Sequence, residues 1–307
     1  MSNEVTLAAD IGGTHIRAAM VDSLGNISHE QRIEAHLSGN NCSEADLIHT
    51  LSTLFQGMLE QHPEIQAIGM GFPGFFIGNT GILAASPNLP QLHDVPLASQ
   101  LSQHLSLPVM VQNDALCAAM GEYRFGAGKG QSNLLHITLG TGVGGGLILN
   151  NMPYTGEGGM AMEFGHLRTS YSDNSRLCGC GGYGCVEAYA SATALISQYF
   201  EHTGTSSTPR DIYALACQGD IFPKQLFEQA GKHLGRAIAE AVKLLDVRTI
   251  TISGGLIGAW PILEPAIKAS LDTNLIPPLK GKVNVLASSL QDHAGLLGAA
   301  ALTSLEV

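Results

Sequence analysis

Three cysteines and one histidine within twenty residues constrain the folding of this chain more than any other feature. Cys178, Cys180 and Cys185 have the spacing Cys-x-Cys-x4-Cys with four glycines among them, and His166 lies upstream. Glycine lets the backbone turn tightly, and one imidazole with three thiolates is a closed tetrahedral ligand set. The alternative, small core cysteines beside a hydrogen-bonded core histidine, gives the glycines no role. We therefore predict a structural Zn²⁺ bound by these four residues.

Composition bounds the class of protein. The chain has 307 residues, of which 45% are hydrophobic and 13% charged, so a compact protein of two lobes is expected. A net charge of −11 without any basic run argues against a nucleic-acid partner. No apolar stretch reaches the roughly 18 residues of a membrane span, and the first residues lack the pattern of a signal peptide. Because the remaining cysteines are scattered, we expect a reduced, cytoplasmic protein.

The first third of the chain predicts strands followed by strand–helix alternation. Three strands are expected at 5–11, 16–21 and 27–33, with a hairpin turn at Gly12-Gly13. Ser43 with Asp46 offers a helix N-cap, and apolar residues then recur at helical spacing up to Met58. Short apolar runs at 65–71 and 108–112 are typical of buried parallel strands. A helix is expected between them at 94–106.

A second cycle starts near residue 133 and has the same order of elements. A strand at 134–139, a glycine turn at 140–146 and a strand at 147–150 repeat the hairpin of the first cycle, which indicates a weak internal repeat. Helices are then expected at 186–200, 209–217, 222–245 and 294–305. Further strands are expected at 249–253 and 283–287.

Two glycine-rich segments follow predicted strands. Asp10-Ile-Gly-Gly-Thr14 lets backbone N–H groups approach phosphate oxygens, and its aspartate can hold Mg²⁺ directly or through water. The segment from Leu139 to Gly146 has five glycines in its last seven positions, which cost folding entropy unless something must come close. An ordinary hairpin turn and a flexible turn remain the alternatives. Together the two segments suggest a triphosphate site.

The cysteine segment resembles a known family. It matches the consensus Cys-x-Cys-Gly-x-x-Gly-Cys-x-Glu of the ROK family (repressors, open reading frames and sugar kinases) at every specified position from Cys178 to Glu187. The resemblance implies an α/β, two-lobed actin-like ATPase (ribonuclease H-like) fold with an interlobe cleft. We expect a small lobe from 1–115 with 294–307, and a large lobe from 116–293 whose zinc-binding segment is 166–185. It also implies an ATP-dependent sugar kinase that uses Mg²⁺ with ATP and forms a homodimer.

The resemblance also assigns site residues. The Asn113-Asp114 pair occupies the place where ROK kinases carry their base, so Asp114 is the expected general base; as a plain alternative, both residue types are favoured helix N-caps. The expected nucleotide-binding residues are Asp10, Gly12, Gly13, Thr14, Gly140, Thr141, Gly142, Gly254 and Gly255. The expected sugar-binding residues are Gly74, Asn88, Asn113, Asp114, Glu163, His166 and Glu187. His166 would thus be both metal ligand and sugar contact.

Some positions depart from the family pattern and leave the sugar open. His15 stands where many ROK kinases have lysine, Met162 stands where glycine is common, and Phe75-Phe76 stands where polar residues are frequent. We expect phosphorylation of a hexose or N-acetylhexosamine at its 6-hydroxyl. An allose or fructose kinase, and a non-catalytic sugar sensor or regulator of the same family, are the alternatives. A repressor is disfavoured because the Asp10 motif starts at the tenth residue, which leaves no room for a DNA-binding domain before it, and because the chain is acidic.

Overall fold

A computed structural model describes residues 4–12, 15–34, 37 and 42–304 of the chain. Within them, the strands are β1 (Val5–Ile11), β2 (His15–Asp22), β3 (Ile27–Glu34), β4 (Ile65–Phe72), β5 (Phe75–Phe76), β6 (Leu83–Ala85), β7 (His93–Val95), β8 (Val109–Asn113), β9 (Leu134–Leu139), β10 (Val143–Leu149), β11 (Met152–Pro153), β12 (Thr249–Ser253) and β13 (Asn284–Ala287). The helices are α1 (Glu44–Gln61), α2 (Leu97–Leu105), α3 (Asp114–Arg124), α4 (Glu187–Ala190), α5 (Ala192–Thr203), α6 (Pro209–Cys217), α7 (Ile221–Leu245), α8 (Trp260–Asn274) and α9 (Ala294–Leu302).

Two five-stranded sheets share one topology. Their strand orders are β3-β2-β1-β4-β8 and β11-β10-β9-β12-β13, and β5, β6 and β7 form a small third sheet. In the first large sheet β1 pairs with β2 antiparallel and with β4 parallel, so an antiparallel hairpin is extended by parallel strands. In the second, β12 pairs in parallel with both β9 and β13. The repeated order agrees with the internal repeat predicted from the two glycine-bearing hairpins.

Contacts divide the chain into two compact units. The first contains Met1–Gly130, Gly146–Ala161 and Asp292–Val307, and the second contains Gln131–Gly145 and Met162–Gln291. Strand β10 passes from the second unit into the first. The lobe boundaries derived from the sequence stay a prediction.

The first unit is built on the apolar strands β1 and β4. Helix α1 begins with a capping box in which the Ser43 hydroxyl accepts from the Asp46 N–H at 3.2 Å and the Asp46 carboxylate accepts from the Ser43 N–H at 3.0 Å. This reciprocal cap satisfies N–H groups that would lack partners in the first turn. The helix then buries Leu51 and Phe55 in the same core as the sheet. Helix α9 packs against α3, β1 and β4, and it thereby closes the face of the sheet on which α3 lies.

The second unit is built on β9 and β12, with α7 packed along α8. Strand β9 carries the fully buried His136, whose Nδ1 is 2.8 Å from the Thr251 hydroxyl and whose Nε2 is 2.9 Å from the Ser253 hydroxyl, both on β12. Burial lowers the pKa of His136 from its usual 6.5 to about 3. Both ring nitrogens are therefore satisfied by hydroxyl groups on a neighbouring strand, and the ring is neutral.

Some predicted elements have different bounds in the structure. The predicted glycine turn at 140–146 is a turn only at 140–142, because Val143 already begins β10. Gly145 lies within that strand. Glycine is needed there because the Met162 carbonyl oxygen and the Phe164 side chain approach too closely for a Cβ. The predicted helix at 186–200 is broken at Ser191, whose hydroxyl caps a new helix by accepting from the Ala194 N–H. The described residues include no helix that is both long and apolar enough to cross a bilayer.

Candidate active site

Two carboxylates meet at one edge of the sheet in the first unit. Asp10 lies near the end of β1 and Asp114 begins α3 directly after β8, and β1, β4 and β8 run parallel. Burial is the main cause that raises the pKa of Asp10 to about 6, and the negative charge of Asp114 adds to it. Burial also raises the pKa of Asp114, against the hydrogen bond that its Oδ1 accepts from the Ala115 N–H at 2.9 Å. The negative charge of Asp114 thus acts on Asp10.

Arg17 supplies a positive charge that acts on Asp10. It is the strand partner of Asp10 in the β1–β2 ladder, and its charge lowers the pKa of Asp10. Its guanidinium is held by Glu30, which accepts from Nη2 at 2.7 Å, and by the Asp292 carbonyl oxygen, which accepts from Nη1 at 2.6 Å. Arg17 was not among the site residues predicted from the sequence.

A buried thiol also belongs to this site. The pKa of Cys117 is raised well above its usual value by burial, and the charges of Asp10 and Asp114 add to the effect. A Cβ placed on Gly71 would lie 3.3 Å from the Cys117 sulfur, and one placed on Gly295 would lie 3.1 Å from Asp10 Oδ2. Strand β4 and helix α9 therefore approach the two aspartates through residues that lack side chains.

The predicted sugar residues of the first unit are joined by hydrogen bonds. Asn113 caps α3, since its Oδ1 accepts from the Ala115 and Leu116 N–H groups at 3.0 and 3.2 Å. Its Nδ2 donates to the Gly74 carbonyl oxygen at 3.0 Å. The capping alternative considered for Asn113 is thus realised, and the same side chain fixes the Gly74 turn beside Asp114.

The segment with Asn88 is fixed to that turn. The Ser86 hydroxyl donates to the Pro73 carbonyl oxygen at 2.7 Å and accepts from the Asn88 N–H at 3.3 Å. Gly74, Asn88 and Asn113 therefore lie in one connected set of loops around the start of α3.

In the second unit the predicted ligands converge. One donor atom from each of His166, Cys178, Cys180 and Cys185 lies within 4.8 Å of the others. His166 Nδ1 is 3.7 Å from Cys178 Sγ, and Cys180 Sγ is 3.8 Å from Cys185 Sγ. A tetrahedral zinc ion with bonds of about 2.3 Å to sulfur and about 2.0 Å to nitrogen sets its ligand atoms about 3.5–3.8 Å apart. These residues therefore fit such an ion.

Glu163 and Glu187 flank this cluster on either side in the sequence. Glu163 Oε2 is 3.7 Å from His166 Nε2, so the ring nitrogen opposite the sulfur cluster faces a carboxylate. Glu187 Oε1 accepts from the Cys178 thiol at 3.5 Å, and Glu187 Oε2 accepts from the Val143 N–H at 2.9 Å. The sequence predicted both carboxylates near the cluster, but it gave no sign of the bond to Val143.

The second glycine loop (residues 140–142, between β9 and β10) lies beside Gly254 and Gly255. Strands β9 and β12 are parallel neighbours, so the segments that follow them lie at one edge of the sheet. Gly254 has φ +97 and packs against the Leu139 backbone, where a side chain would collide. The Thr138 hydroxyl at the end of β9 is buried without a hydrogen-bond partner among the described residues. Open α/β sheets bind ligands beyond the carboxyl ends of their strands, and these loops follow such strand ends.

The predicted site residues are divided between the units. Asp10, Gly12, Gly74, Asn88, Asn113 and Asp114 lie in the first unit, and the remaining described ones lie in the second. Gly13 and Thr14, two predicted nucleotide contacts, lie outside the described residues. Thr138 and Val143 were missed, because a buried hydroxyl or a backbone N–H leaves no mark in a sequence motif.

Comparison with known proteins gives the family. The family model described as ROK family matches residues 6–306. The glucokinase of Streptomyces coelicolor is 33% identical over 97% of this chain and 97% of its own length. An N-acetylmannosamine kinase of Haemophilus influenzae is 34% identical over 96% of this chain and 93% of its own length. The chain therefore belongs to the ROK family, as its cysteine segment predicted.

A solved structure supports the fold. That of a ROK family glucokinase from Streptomyces griseus, in complex with glucose and AMPPNP, is 33% identical to this chain. It superimposes with a TM-score of 0.82 and covers 97% of this chain and 98% of that one. The predicted fold class, the α/β two-lobed fold of the actin-like ATPases, is confirmed with the family.

Proposed function

We propose that this protein is an ATP-dependent kinase that phosphorylates a hexose or N-acetylhexosamine at its 6-hydroxyl, with Asp114 as general base. Membership of the ROK family, and relatives named glucokinase and N-acetylmannosamine kinase, support the reaction class. The observation that carries the proposal is the placement of Asp10 and Asp114 at one sheet edge, near the ends of the parallel strands β1 and β8.

Asp114 has the properties that the base requires. A carboxylate whose pKa is raised by burial is a stronger proton acceptor than one in water, and a base works best when its pKa approaches the working pH. In the proposed step the sugar oxygen bonds to the γ-phosphorus, and the bond from that phosphorus to the β–γ bridging oxygen breaks. ADP leaves with the electron pair, and the hydroxyl proton passes to Asp114. Asn113 holds the neighbouring turn in place through Gly74.

The nucleotide is proposed to contact the glycine segments. Asp10, with its raised pKa, is the group that a bound Mg²⁺ would keep ionised, because a cation favours the charged form. The ion would neutralise charge on the β- and γ-phosphates. The proposed phosphate contacts are Gly12, Gly13 and Thr14 of the Asp10–Thr14 segment, and Gly140, Thr141 and Gly142 of the second glycine loop. Gly254 and Gly255 are the proposed contacts of the nucleoside.

Sugar hydroxyls need hydrogen-bond acceptors, and the second unit supplies several. Glu163 and Glu187 offer carboxylate oxygens, and His166 Nε2 points away from the sulfur cluster. In the first unit, Gly74, Asn88 and Asn113 are the proposed contacts near Asp114. Which sugar is accepted depends on how well these groups hydrogen-bond a single hydroxyl or acetamido substituent.

The metal at His166, Cys178, Cys180 and Cys185 is proposed to be Zn²⁺ with a structural role. Its support is the donor set and the ligand spacing, which match a tetrahedral ion. When bound it would tie the segment together and fix His166 and Glu187. A cytoplasmic location, in which thiols stay reduced, and a homodimer complete the proposal.

A panel of sugars tests the reaction. Glucose, N-acetylglucosamine, N-acetylmannosamine, allose and fructose are each incubated with the protein, ATP and Mg²⁺, and ADP release is followed by a coupled assay. A kinase gives release that depends on one or more of the sugars. If a sugar binds, as measured by calorimetry, yet no sugar stimulates ADP release, the protein is a non-catalytic sensor of the family.

A further inference from the structure

Residues from both ends of the proposed metal-binding segment contact the start of β10. We define the metal clip as residues 163–187, which carry His166, Cys178, Cys180 and Cys185. Val143, the residue directly after the second glycine loop, donates its N–H to Glu187 Oε2 at 2.9 Å. Its carbonyl oxygen lies against Gly165, where a Cβ would overlap it. Gly165 directly precedes the proposed ligand His166, and Glu187 follows the proposed ligand Cys185 by two residues.

The loop is held from the same direction. The Ala192 N–H donates to the Gly140 carbonyl oxygen at 2.9 Å, and the Thr193 hydroxyl donates to the Thr141 carbonyl oxygen at 2.8 Å. The Ser191 N–H in turn donates to the Glu187 carbonyl oxygen at 3.2 Å. The segment that leaves the metal clip through Glu187 therefore fixes the loop backbone at Gly140 and Thr141, and Glu187 itself fixes Val143.

Glu187 joins the two features with a single carboxylate. Its Oε1 is 3.5 Å from the sulfur of ligand Cys178, while its Oε2 accepts from Val143. A Cβ on Gly142 would lie 2.5 Å from Oε2, so the loop and the carboxylate are also in van der Waals contact. A hydrogen bond from a backbone N–H to an ionised carboxylate is stronger than one between neutral groups. The Glu187 carboxylate therefore contacts both the second glycine loop and the sulfur of Cys178.

We propose that Glu187 is a positioning residue that connects the metal site to the second glycine loop, so that metal binding and nucleotide binding strengthen each other. The inference rests on the proposed function in one respect, which is that the loop contacts the nucleotide. Coupling of this kind is reciprocal, because the metal must favour the nucleotide by the same factor as the nucleotide favours the metal. Couplings between sites commonly amount to about five- to 150-fold.

The first experiment needs no nucleotide. The full chain is loaded with one zinc ion, and its release to a chromogenic chelator is timed for the wild type, Gly142→Ala, Glu187→Ala and Glu187→Gln. We expect release about tenfold faster in Gly142→Ala and Glu187→Ala, within the usual range of coupling. Glu187→Gln keeps an oxygen acceptor for the Val143 N–H and should restore most of the slow release. Because no sugar is present, the rate of zinc release does not depend on any contact between Glu187 and sugar.

A matched control is available on another turn. Gly258 is exposed in the 3-10 segment Gly255–Ala259, and a Cβ there would meet nothing within 4 Å. Gly258→Ala should release zinc at the wild-type rate. If Gly142→Ala also releases zinc at that rate, the loop is not coupled to the metal and the inference is wrong, whatever the nucleotide does.

The second experiment adds the nucleotide. AMPPNP is titrated by calorimetry into the zinc-loaded protein, and zinc release is timed with and without saturating AMPPNP. We expect AMPPNP to slow release by about tenfold in the wild type and much less in Gly142→Ala. If AMPPNP binds but leaves the release rate unchanged, the coupling is wrong and the proposed function stands. If AMPPNP does not bind the loaded protein at all, the nucleotide part of both proposals is wrong.

Discussion

The negative charge of Asp114, at the start of α3, raises the pKa of Asp10, near the end of β1. Burial is the larger cause of the same shift, and Arg17 opposes both. A cluster of like charges that persists at neutral pH costs stability, and proteins tolerate such costs where a ligand or a reaction needs the charges. The two aspartates therefore mark the candidate active site of the first unit.

Replacing Asp10 should stabilise the protein. The pKa of Asp10 is raised from 3.8 to about 6, so the folded state prefers the protonated form, and stability falls as pH rises through this range. We expect Asp10→Asn to raise the free energy of unfolding by up to about 3 kcal/mol at pH 7.5 and by about half as much at pH 5. Urea unfolding without Mg²⁺ measures both.

The control for this prediction is Asp272→Asn, at an exposed position on α8. It should change stability by less than about 0.5 kcal/mol at either pH. A loss of stability in Asp10→Asn at pH 7.5 would show that the ionised carboxylate is favourable in the folded protein, contrary to this account.

His136 predicts a specific weakness in acid. Its pKa is lowered from 6.5 to about 3 by burial, so only the unfolded chain takes up the proton between these values. This residue should lower the free energy of unfolding by about 1.4 kcal/mol per pH unit below pH 6.5, or about 2 kcal/mol between pH 7 and 5. His136→Gln should show a correspondingly smaller difference between the two pH values.

Exposed His104 serves as the matched control, since its Nδ1 only contacts the Gln100 carbonyl oxygen at 2.8 Å. His104→Gln should keep the wild-type difference in stability between pH 7 and 5. Equal differences in the wild type and His136→Gln would mean that His136 is not the buried neutral group described above.

Much of the fold could be predicted from local patterns. The strands β1, β2 and β3 were predicted from runs of residues that favour strands, separated by turn residues. Helix α1 was predicted from the Ser43–Asp46 cap, which the structure shows as a capping box. Helix α8 was not predicted, because Pro265 lies inside it and glycines crowd its start. Strand β10 begins earlier than predicted, because glycines weaken the strand pattern where packing requires them.

The site was predictable only where side-chain chemistry announces itself. The structure brings together the four residues that the sequence predicted as metal ligands, and cysteine and histidine at this spacing have few other uses. The bond from the Val143 N–H to Glu187 was not predictable, because every residue except proline has this donor. The buried hydroxyl of Thr138 also became visible only once the strands were placed.

The metal site predicts one zinc ion per chain. Protein purified without chelator should contain one equivalent of zinc, and Cys178→Ala should lower zinc content and the free energy of unfolding together. Cys217→Ala, which changes an exposed cysteine outside the cluster, should keep both at wild-type values. Wild-type protein without stoichiometric metal, or with a disulfide between any two of the three clustered cysteines, would refute the site.

Asp114 is proposed to take the proton from a sugar hydroxyl during phosphoryl transfer. Asp114→Asn keeps the size of the side chain and removes the base, and loss of a general base typically costs about 10²- to 10⁴-fold in rate. The decisive measurement is kcat for sugar phosphorylation in Asp114→Asn, beside calorimetric sugar affinity for the same variant. If Asp114 is the base, kcat should fall by at least about 100-fold while sugar affinity stays within a few-fold of wild type. A near-wild-type kcat in Asp114→Asn would contradict it.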